Sequence, residues 1–204
     1  MSTLILVGQL DSPFVRRVAV TMAAYDQSFE LKPLSVYGDF DTLLAINPAG
    51  SVPVLITEDQ RAIADTEAIC FWLDERAPIA FLRGTRQKHL QNLEAVATAN
   101  WISSKAGEAY RWTRFSHDAE IPEKARERLV LQINASLEKL DLLCKAGSAS
   151  SASLSHTNIA ASCAVVFARQ IAQHLRLAVT IPTTLAAYLS RVEQHSAFAG
   201  LRND

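Results

Sequence analysis

The sequence predicts a small α/β domain followed by an all-helical domain, and three observations lead to this fold class. Up to about residue 77, short apolar runs of strand length alternate with helical patterns. Beyond that point every strong apolar pattern recurs about every 3.6 residues, which is typical of amphipathic helices. Between the two regions proline, glycine and charged residues are mixed. We therefore predict domains at residues 1–78 and 87–204, joined by a linker at 79–86.

The first domain has the pattern of a βαβ unit followed by a ββα unit. An apolar run at 4–7 predicts a buried strand. Ser12-Pro13 then begins a helix, because serine caps a helix and proline fits its first turn. The sequence Asn-Pro-Ala-Gly at 47–50 predicts a turn. Residues 65–66 begin a second helix, and the other strands are predicted at 29–34, 52–56 and 62–64.

Two apolar stripes predict long helices in the second domain. The first stripe consists of Leu90, Leu93, Ala97, Trp101 and Ser104, and the second of Leu129, Ile133, Leu137, Leu140 and Cys144. Further helices are predicted to begin near Ser155 and Pro182. Ser155 and Asn158 have the spacing of a capping box, which we interpret as a folding signal.

The composition argues against several functional classes. A formal net charge of −1 without a basic cluster gives nucleic-acid binding no electrostatic support. No apolar run approaches the roughly 20 residues of a membrane span, and no signal peptide is recognised, so we expect a soluble cytoplasmic protein without membrane partners. The 3 cysteines and 5 histidines lack the spacing of a disulfide framework or a metal site, so no metal is predicted.

Ser12-Pro13-Phe14, at the first strand-to-helix turn, has two interpretations. In one, Ser12 is only an N-cap and Pro13 only a first-turn proline. In the other, the Ser12 hydroxyl donates to a ligand thiolate at the helix N-terminus, where backbone N–H groups and the macrodipole favour an anion. Serine suits that task because it stabilises the anion without competing as a nucleophile.

Two further features also have two interpretations each. Val52-Pro53 is either the start of an edge strand or a cis peptide that turns the Val52 N–H and C=O toward an extended peptide. Asp65-Thr66 is either a helix cap, or a site where Thr66 and helix N–H groups receive a carboxylate while Asp65 pairs with an ammonium. Taken as sites, the three features describe a γ-glutamyl-cysteinyl peptide, with an amino-acid head, a backbone-paired middle and a thiol.

Three motifs together resemble the cytosolic glutathione S-transferases, and most closely the bacterial members of that superfamily. They are Ser12-Pro13-Phe14-Val15-Arg16-Arg17, Asn47-Pro48-Ala49-Gly50-Ser51-Val52-Pro53-Val54-Leu55 and Asp65-Thr66-Glu67-Ala68-Ile69, in the order and spacing of the family. Residues 154–159 resemble the capping motif of the family's buried sixth helix. The resemblance therefore covers essentially the whole chain.

The resemblance implies a thioredoxin-like N-terminal domain (βαβαββα), a helical-bundle C-terminal domain and a homodimer. It implies that Pro53 is cis and that Ser12 occupies the catalytic position. Glutathione is the implied co-substrate, bound by Ser12, Phe14, Val52, Pro53, Asp65 and Thr66. The implied function is a detoxifying glutathione transferase that activates the thiolate with Ser12 for attack on a small hydrophobic electrophile.

We predict that the electrophile lies between the domains, near Leu10, Phe14, Trp101, Tyr110, Arg111 and Arg114. As alternatives, the aromatic residues in this set are ordinary core and the arginines are solvated. Two other functions stay open. A glutathione-dependent disulfide reductase or peroxidase is disfavoured because no cysteine stands at position 12. A non-catalytic glutathione-binding or regulatory protein would bind the tripeptide without turnover.

Overall fold

The computed structural model describes residues 3–77, 89–115, 120–146 and 154–201. The chain divides into two compact units, one formed by Met1–Leu82 with Gln194–Asp204 and the other by Arg83–Glu193. The C-terminal segment thus groups with the first unit. The linker predicted at 79–86 lies outside the described residues, and the domain boundaries stay predictions.

The first unit has the element order βαβαββα that the resemblance implies. Its elements are β1 (Leu4–Val7), α1 (Pro13–Ala24), β2 (Phe29–Lys32), α2 (Phe40–Ile46), β3 (Val54–Ile56), β4 (Ala62–Ala64) and α3 (Thr66–Arg76). The strand order in the sheet is β2-β1-β3-β4, with β1 parallel to β2 and β3 antiparallel to both of its neighbours. This mixed sheet with its helices confirms the predicted thioredoxin-like fold.

Alternate residues of β1 face opposite sides of the sheet, which creates two cores. Leu4 and Leu6 pack with residues of α1 and α3, including Val18 and Leu73. Val7 packs on the other side, in a smaller cluster with Leu43 of α2 and Val54 of β3. The residue pattern alone did not indicate α2, because only Leu43 of that helix is buried and the apolar periodicity is therefore weak.

The second unit contains α4 (His89–Phe115), α5 (Glu123–Ala146), α6 (His156–Leu175) and α7 (Thr183–Val192). Helix α4 packs against both α5 and α6, and α7 packs against α5 and α6. The predicted capping box is confirmed at the start of α6: Asn158 N donates to Ser155 Oγ at 3.3 Å, and Ser155 N donates to Asn158 Oδ1 at 2.7 Å. None of the described helices has the length and hydropathy needed to cross a bilayer.

The two apolar stripes of this unit have opposite environments. The α5 stripe, from Leu129 to Cys144, is buried. The α4 stripe instead faces solvent, with Leu90 77%, Leu93 52% and Trp101 61% exposed. The buried face of α4 is made mainly of small residues, namely Ala95, Val96, Ala99, Ile102, Ala106 and Ala109. Small side chains allow helices to approach closely, and α6 likewise buries a series of alanines against its neighbours.

Candidate functional site

A cleft of about 310 Å³ lies within the first unit. Its lining comes from Phe14, Asn47, Ala49, Ser51, Val52, Pro53, Ala64, Asp65 and Thr66. The structure therefore brings together Phe14, Val52, Pro53, Asp65 and Thr66 of the predicted glutathione-binding set, whereas Ser12 is not part of this lining. A concave site of this volume is at the lower end of the range for small-molecule pockets.

Ser12 is the N-cap of α1, and Pro13 is the first residue of the helix. Ser12 Oγ accepts a hydrogen bond from Val15 N at 3.5 Å, a distance at which such a bond is weak. The hydroxyl has no other hydrogen bond to the described residues, and the side chain is half-buried. Its capping role is therefore modest, and its O–H remains able to donate to a ligand at the start of α1.

The turn at 47–50 shapes the cleft through the side chain of a buried asparagine. Asn47 Nδ2 donates to the Ser51 carbonyl at 3.0 Å and to Ser51 Oγ at 3.1 Å. Asn47 Oδ1 accepts from Ala49 N at 3.1 Å, and Gly50 N donates to Asn47 O at 2.8 Å. Sequence reasoning missed Asn47, Ala49 and Ser51 as lining residues, although the turn motif that contains them was recognised.

Glycine is required at position 50 for two reasons. Its φ is +57°, which residues with a side chain rarely adopt. A Cβ atom there would also collide with the ring of Phe40, whose Cζ would lie 3.0 Å away. This glycine therefore lets α2 pack directly under the turn that precedes Val52.

Val52-Pro53 is a cis peptide, as the resemblance implies. The N–H and C=O of Val52 have no hydrogen-bond partner among the described residues. Gly8 packs directly against this corner, since a Cβ at Gly8 would lie 3.0 Å from Val52 Cβ. A backbone donor and acceptor beside a cleft can pair with an extended peptide, because such groups otherwise depend on water for their hydrogen bonds.

Asp65 caps α3 with one carboxylate oxygen. Asp65 Oδ1 accepts from Glu67 N at 2.8 Å and from Ala68 N at 3.3 Å. No hydrogen bond to the described residues reaches Oδ2, and the residue is exposed. Thr66, buried at the first position of α3, lines the cleft beside it. The pair therefore offers a negative oxygen next to a hydroxyl at a helix N-terminus, an arrangement that can receive a group with both an ammonium and a carboxylate.

The residues predicted for the electrophile pocket are distributed over both units. Leu10 is half-buried and packs against the core of the first unit. Phe14 lies in the first turn of α1, whereas the other four lie on α4. At about 100° per residue, Trp101 and Tyr110 project from opposite sides of this continuous helix. Tyr110 and Arg114 share one side, and the Tyr110 ring lies 6.0 Å from that of His174. Trp101 belongs instead with the exposed stripe that contains Leu93.

The three cysteines are buried and free of disulfides. Burial raises the pKa of the Cys70 thiol, and burial together with the nearby Asp141 charge raises the pKa of Cys144 to about 12. A thiol with a raised pKa is not ionised at neutral pH, and the thiolate is the nucleophilic form. Among the described residues, no group of three or more His, Cys, Asp or Glu side chains is arranged to hold a metal ion.

Comparison with known proteins gives a family match and a set of structural neighbours. Residues 6–86 match the family described as "Glutathione S-transferase, N-terminal domain". No curated protein matches the sequence. A glutathione S-transferase from Methylobacillus flagellatus KT, solved with bound glutathione, is similar with a TM-score of 0.84 and 20% identity, over 99% of this chain and 100% of that one.

Two other solved structures have the same fold. A glutathione transferase family member from Pseudomonas fluorescens Pf-5, with bound glutathione, has a TM-score of 0.85 and 20% identity, over 99% of this chain and 100% of that one. A Tau class glutathione S-transferase from mango, Mangifera indica, has a TM-score of 0.76 and 20% identity, over 100% of this chain and 94% of that one. At this identity the likeness shows the fold, and it extends along essentially the whole chain.

Proposed function

We propose that this chain is a glutathione transferase, because residues 6–86 match the glutathione S-transferase N-terminal domain family and the whole chain has the fold of solved glutathione S-transferases. In this proposal the cleft of the first unit holds the tripeptide, and the thiolate attacks a small hydrophobic electrophile. The Cys70 and Cys144 thiols take no part, because burial raises their pKa values and keeps them protonated.

One observation supports the proposal most directly: the cleft combines the groups that a γ-glutamyl-cysteinyl peptide requires. The Asp65 carboxylate is suited to the ammonium of the amino-acid head, while the Thr66 hydroxyl and the N-terminus of α3 are suited to its carboxylate. The Val52 N–H and C=O, beside the cis bond, are suited to the backbone of the cysteinyl residue.

In the proposed mechanism, Ser12 stabilises the reactive sulfur. A free thiol with a pKa near 8.5 is only a few per cent ionised at pH 7, and lowering the pKa by about 2 units makes the thiolate the dominant form. The Ser12 hydroxyl donates a hydrogen bond to the sulfur, and the N-terminus of α1 favours its negative charge. The thiolate then forms a carbon–sulfur bond with the electrophile and expels its leaving group, or adds across its activated double bond.

We also propose that the protein is a homodimer with a cytoplasmic, detoxifying role. The exposed stripe of Leu90, Leu93, Ala97 and Trp101 on α4 supports the dimer, because contiguous apolar surface commonly marks a protein interface. The location, the role and the chemical identity of the electrophile stay predictions.

Titration calorimetry with reduced glutathione tests the proposal. We expect wild-type protein to bind, and Asp65→Ala to weaken binding by about 1–3 kcal/mol because the ammonium loses its charged partner. Asp65→Asn keeps an amide oxygen as the cap of α3 but removes the charge, so it separates ligand binding from capping. Asp59→Asn is the matched control, since Asp59 is an acidic residue of the same unit outside the cleft.

Two outcomes discriminate among the possible functions. If wild-type protein fails to bind glutathione at millimolar concentration, the proposed function is wrong. If it binds glutathione but accelerates no reaction in a panel of aryl halides, enones, disulfides and hydroperoxides, the chain is a non-catalytic binding protein. Turnover restricted to the disulfides or hydroperoxides would instead identify a reductase or peroxidase.

A further inference from the structure

Helices α1 and α3 are joined by three polar contacts, which we call the α1–α3 ladder. Arg17 pairs with Glu67, Thr21 contacts Cys70 with Oγ1 and Sγ 3.9 Å apart, and the Tyr25 hydroxyl donates to Asp74 Oδ1 at 2.6 Å. From one contact to the next, the residue numbers increase in both helices. The helices therefore run in the same direction, and their N-termini lie at the same end of the ladder.

The N-terminal ends of these two helices both reach the cleft. Phe14 in the first turn of α1, and Asp65 with Thr66 at the start of α3, all line it. The two ends are separated in sequence by about 50 residues and belong to different elements, so no local turn sets the distance between them. Their relative position depends on how α1 packs against α3.

The first contact of the ladder is its strongest and the one nearest the cleft. Arg17 is a buried guanidinium, 3% exposed, and forms two hydrogen bonds to Glu67, Nη1–Oε1 at 2.5 Å and Nη2–Oε2 at 3.0 Å. A two-point pair between a guanidinium and a carboxylate fixes orientation as well as distance. Glu67 follows directly after Thr66, and its backbone N–H donates to Asp65 Oδ1 at 2.8 Å. The pair therefore ties α1 to the turn that presents Asp65 and Thr66.

From this arrangement we infer that Arg17 and Glu67 are positioning residues for glutathione, and this inference rests on the proposed function. They hold the start of α3, where the amino-acid head would bind, in register with the start of α1, where the sulfur would bind. A single tripeptide must reach both points, so a shift between the helices weakens one of its contacts. Neither side chain is among the residues that line the cleft.

Substitutions at Glu67 test the inference without leaving a cavity in the hydrophobic core, because the Glu67 side chain is 51% exposed. We expect Glu67→Ala to raise the Kd for glutathione about tenfold, within the range by which residues outside a site modulate binding. Glu67→Gln keeps one acceptor oxygen for Arg17 and should have a smaller effect. In turnover assays, KM for glutathione should rise in parallel with Kd while kcat at saturating glutathione changes by less than about twofold.

Tyr25→Phe is the matched control, since it breaks the ladder at the opposite end. Asp74 lies eight residues beyond Thr66 in α3, about 12 Å along the helix axis. Tyr25→Phe should lower the melting temperature but leave the Kd for glutathione within about twofold of wild type. A purely structural role for the ladder predicts instead that binding follows stability in both variants.

Three results would overturn the inference. The first is wild-type affinity in a folded Glu67→Ala protein, or in Glu67→Gln if the alanine variant does not fold. The second is an equal loss of affinity in Tyr25→Phe, which would mean that binding follows stability alone. The third is a wild-type protein that does not bind glutathione, which would remove the proposed function as well. Calorimetry of the wild type therefore precedes the variants and separates the two failures.

Discussion

At the scale of single residues, Asp65 combines a strained backbone with a carboxylate that caps α3. Its φ of 80° and ψ of 134° lie outside the regions that residues with a side chain normally occupy. Such a conformation costs about 1–3 kcal/mol and persists only where the surrounding structure imposes it. Here one carboxylate oxygen caps α3, and the residue also lines the cleft. Strained residues of this kind cluster at active sites, ligand clamps and switch regions.

The proposed role of Ser12 can be tested through the thiol pKa of bound glutathione. Ser12→Ala should raise the thiol pKa of bound glutathione toward its ordinary value of about 8.5, seen as loss of thiolate ultraviolet absorbance at neutral pH. The cost in stability should be below about 1 kcal/mol, because the hydrogen bond from Val15 N to Ser12 Oγ is already 3.5 Å long. Ser155→Ala removes another N-cap serine and is the control, expected to lower stability without changing the thiol pKa. An unchanged thiol titration in Ser12→Ala would mean that Ser12 is only a helix cap.

At the scale of elements, a buried carboxylate connects α5 to α7. Asp141 of α5 is 7% exposed and accepts hydrogen bonds from Thr184 Oγ1 at 2.7 Å and from Lys145 Nζ at 2.5 Å. Burial by itself would raise the pKa of the Asp141 carboxyl. The hydrogen bonds from Lys145 and Thr184, with the Lys145 charge, outweigh it and lower this pKa below its usual value. The ionised form is therefore the one that holds α7 in place.

Stability should depend on pH through Asp141. Because its pKa is lower in the folded state, its stabilisation is complete above the unfolded pKa of about 3.9 and is lost as pH falls through the folded value. Asp141→Asn should lower the free energy of unfolding at pH 7 by about 1–3 kcal/mol. The free energy of unfolding of this variant should also fall less steeply than that of the wild type as the pH is lowered. Urea unfolding at several pH values measures both effects. Asp11→Asn, at an exposed carboxylate, is the control. An acid response equal to wild type in Asp141→Asn would contradict this role.

At the scale of the whole molecule, the second unit carries a row of exposed apolar side chains. Leu90, Leu93 and Trp101 follow one another along about 16 Å of α4 and are all more than half exposed. Isolated apolar residues on a surface need no explanation, but a contiguous row of large ones commonly marks an interface. This row is the best support for the proposed homodimer.

Paired substitutions along this row test the dimer. Burial of a large apolar side chain contributes about 1.5–3 kcal/mol, so Leu93→Glu combined with Trp101→Glu should raise the dimer dissociation constant more than about 100-fold. Light scattering coupled to gel filtration should then show a monomer for the double variant and a dimer for the wild type. Leu142→Glu on α5 adds the same charge at a residue that is 66% exposed and should leave the dimer intact. A dimeric double variant would exclude this face as the interface.

Much of the fold could be predicted because its signals are local. The βαβ and ββα patterns, the cap at Asp65 and the capping box of Ser155 and Asn158 each depend on residues within a few positions of one another. Hydrogen bonds over such distances form wherever the local sequence allows them. The same holds for the turn at 47–50, whose residues bond to one another. The site motifs could be recognised for this reason.

The sequence by itself therefore determined the order of the elements apart from α2, the caps of α1, α3 and α6, and the motifs that border the cleft. Only the tertiary structure decided which face of α4 is buried. The apolar periodicity leaves two candidate faces. Because small residues pack closely against the neighbouring helices, the face with the alanines is buried and the face with Leu93 and Trp101 is exposed. The tertiary structure also brings Arg17 into contact with Glu67 and places Asn47 in the lining of the cleft. These outcomes depend on contacts between distant segments, whose energies arise only when the packed elements meet.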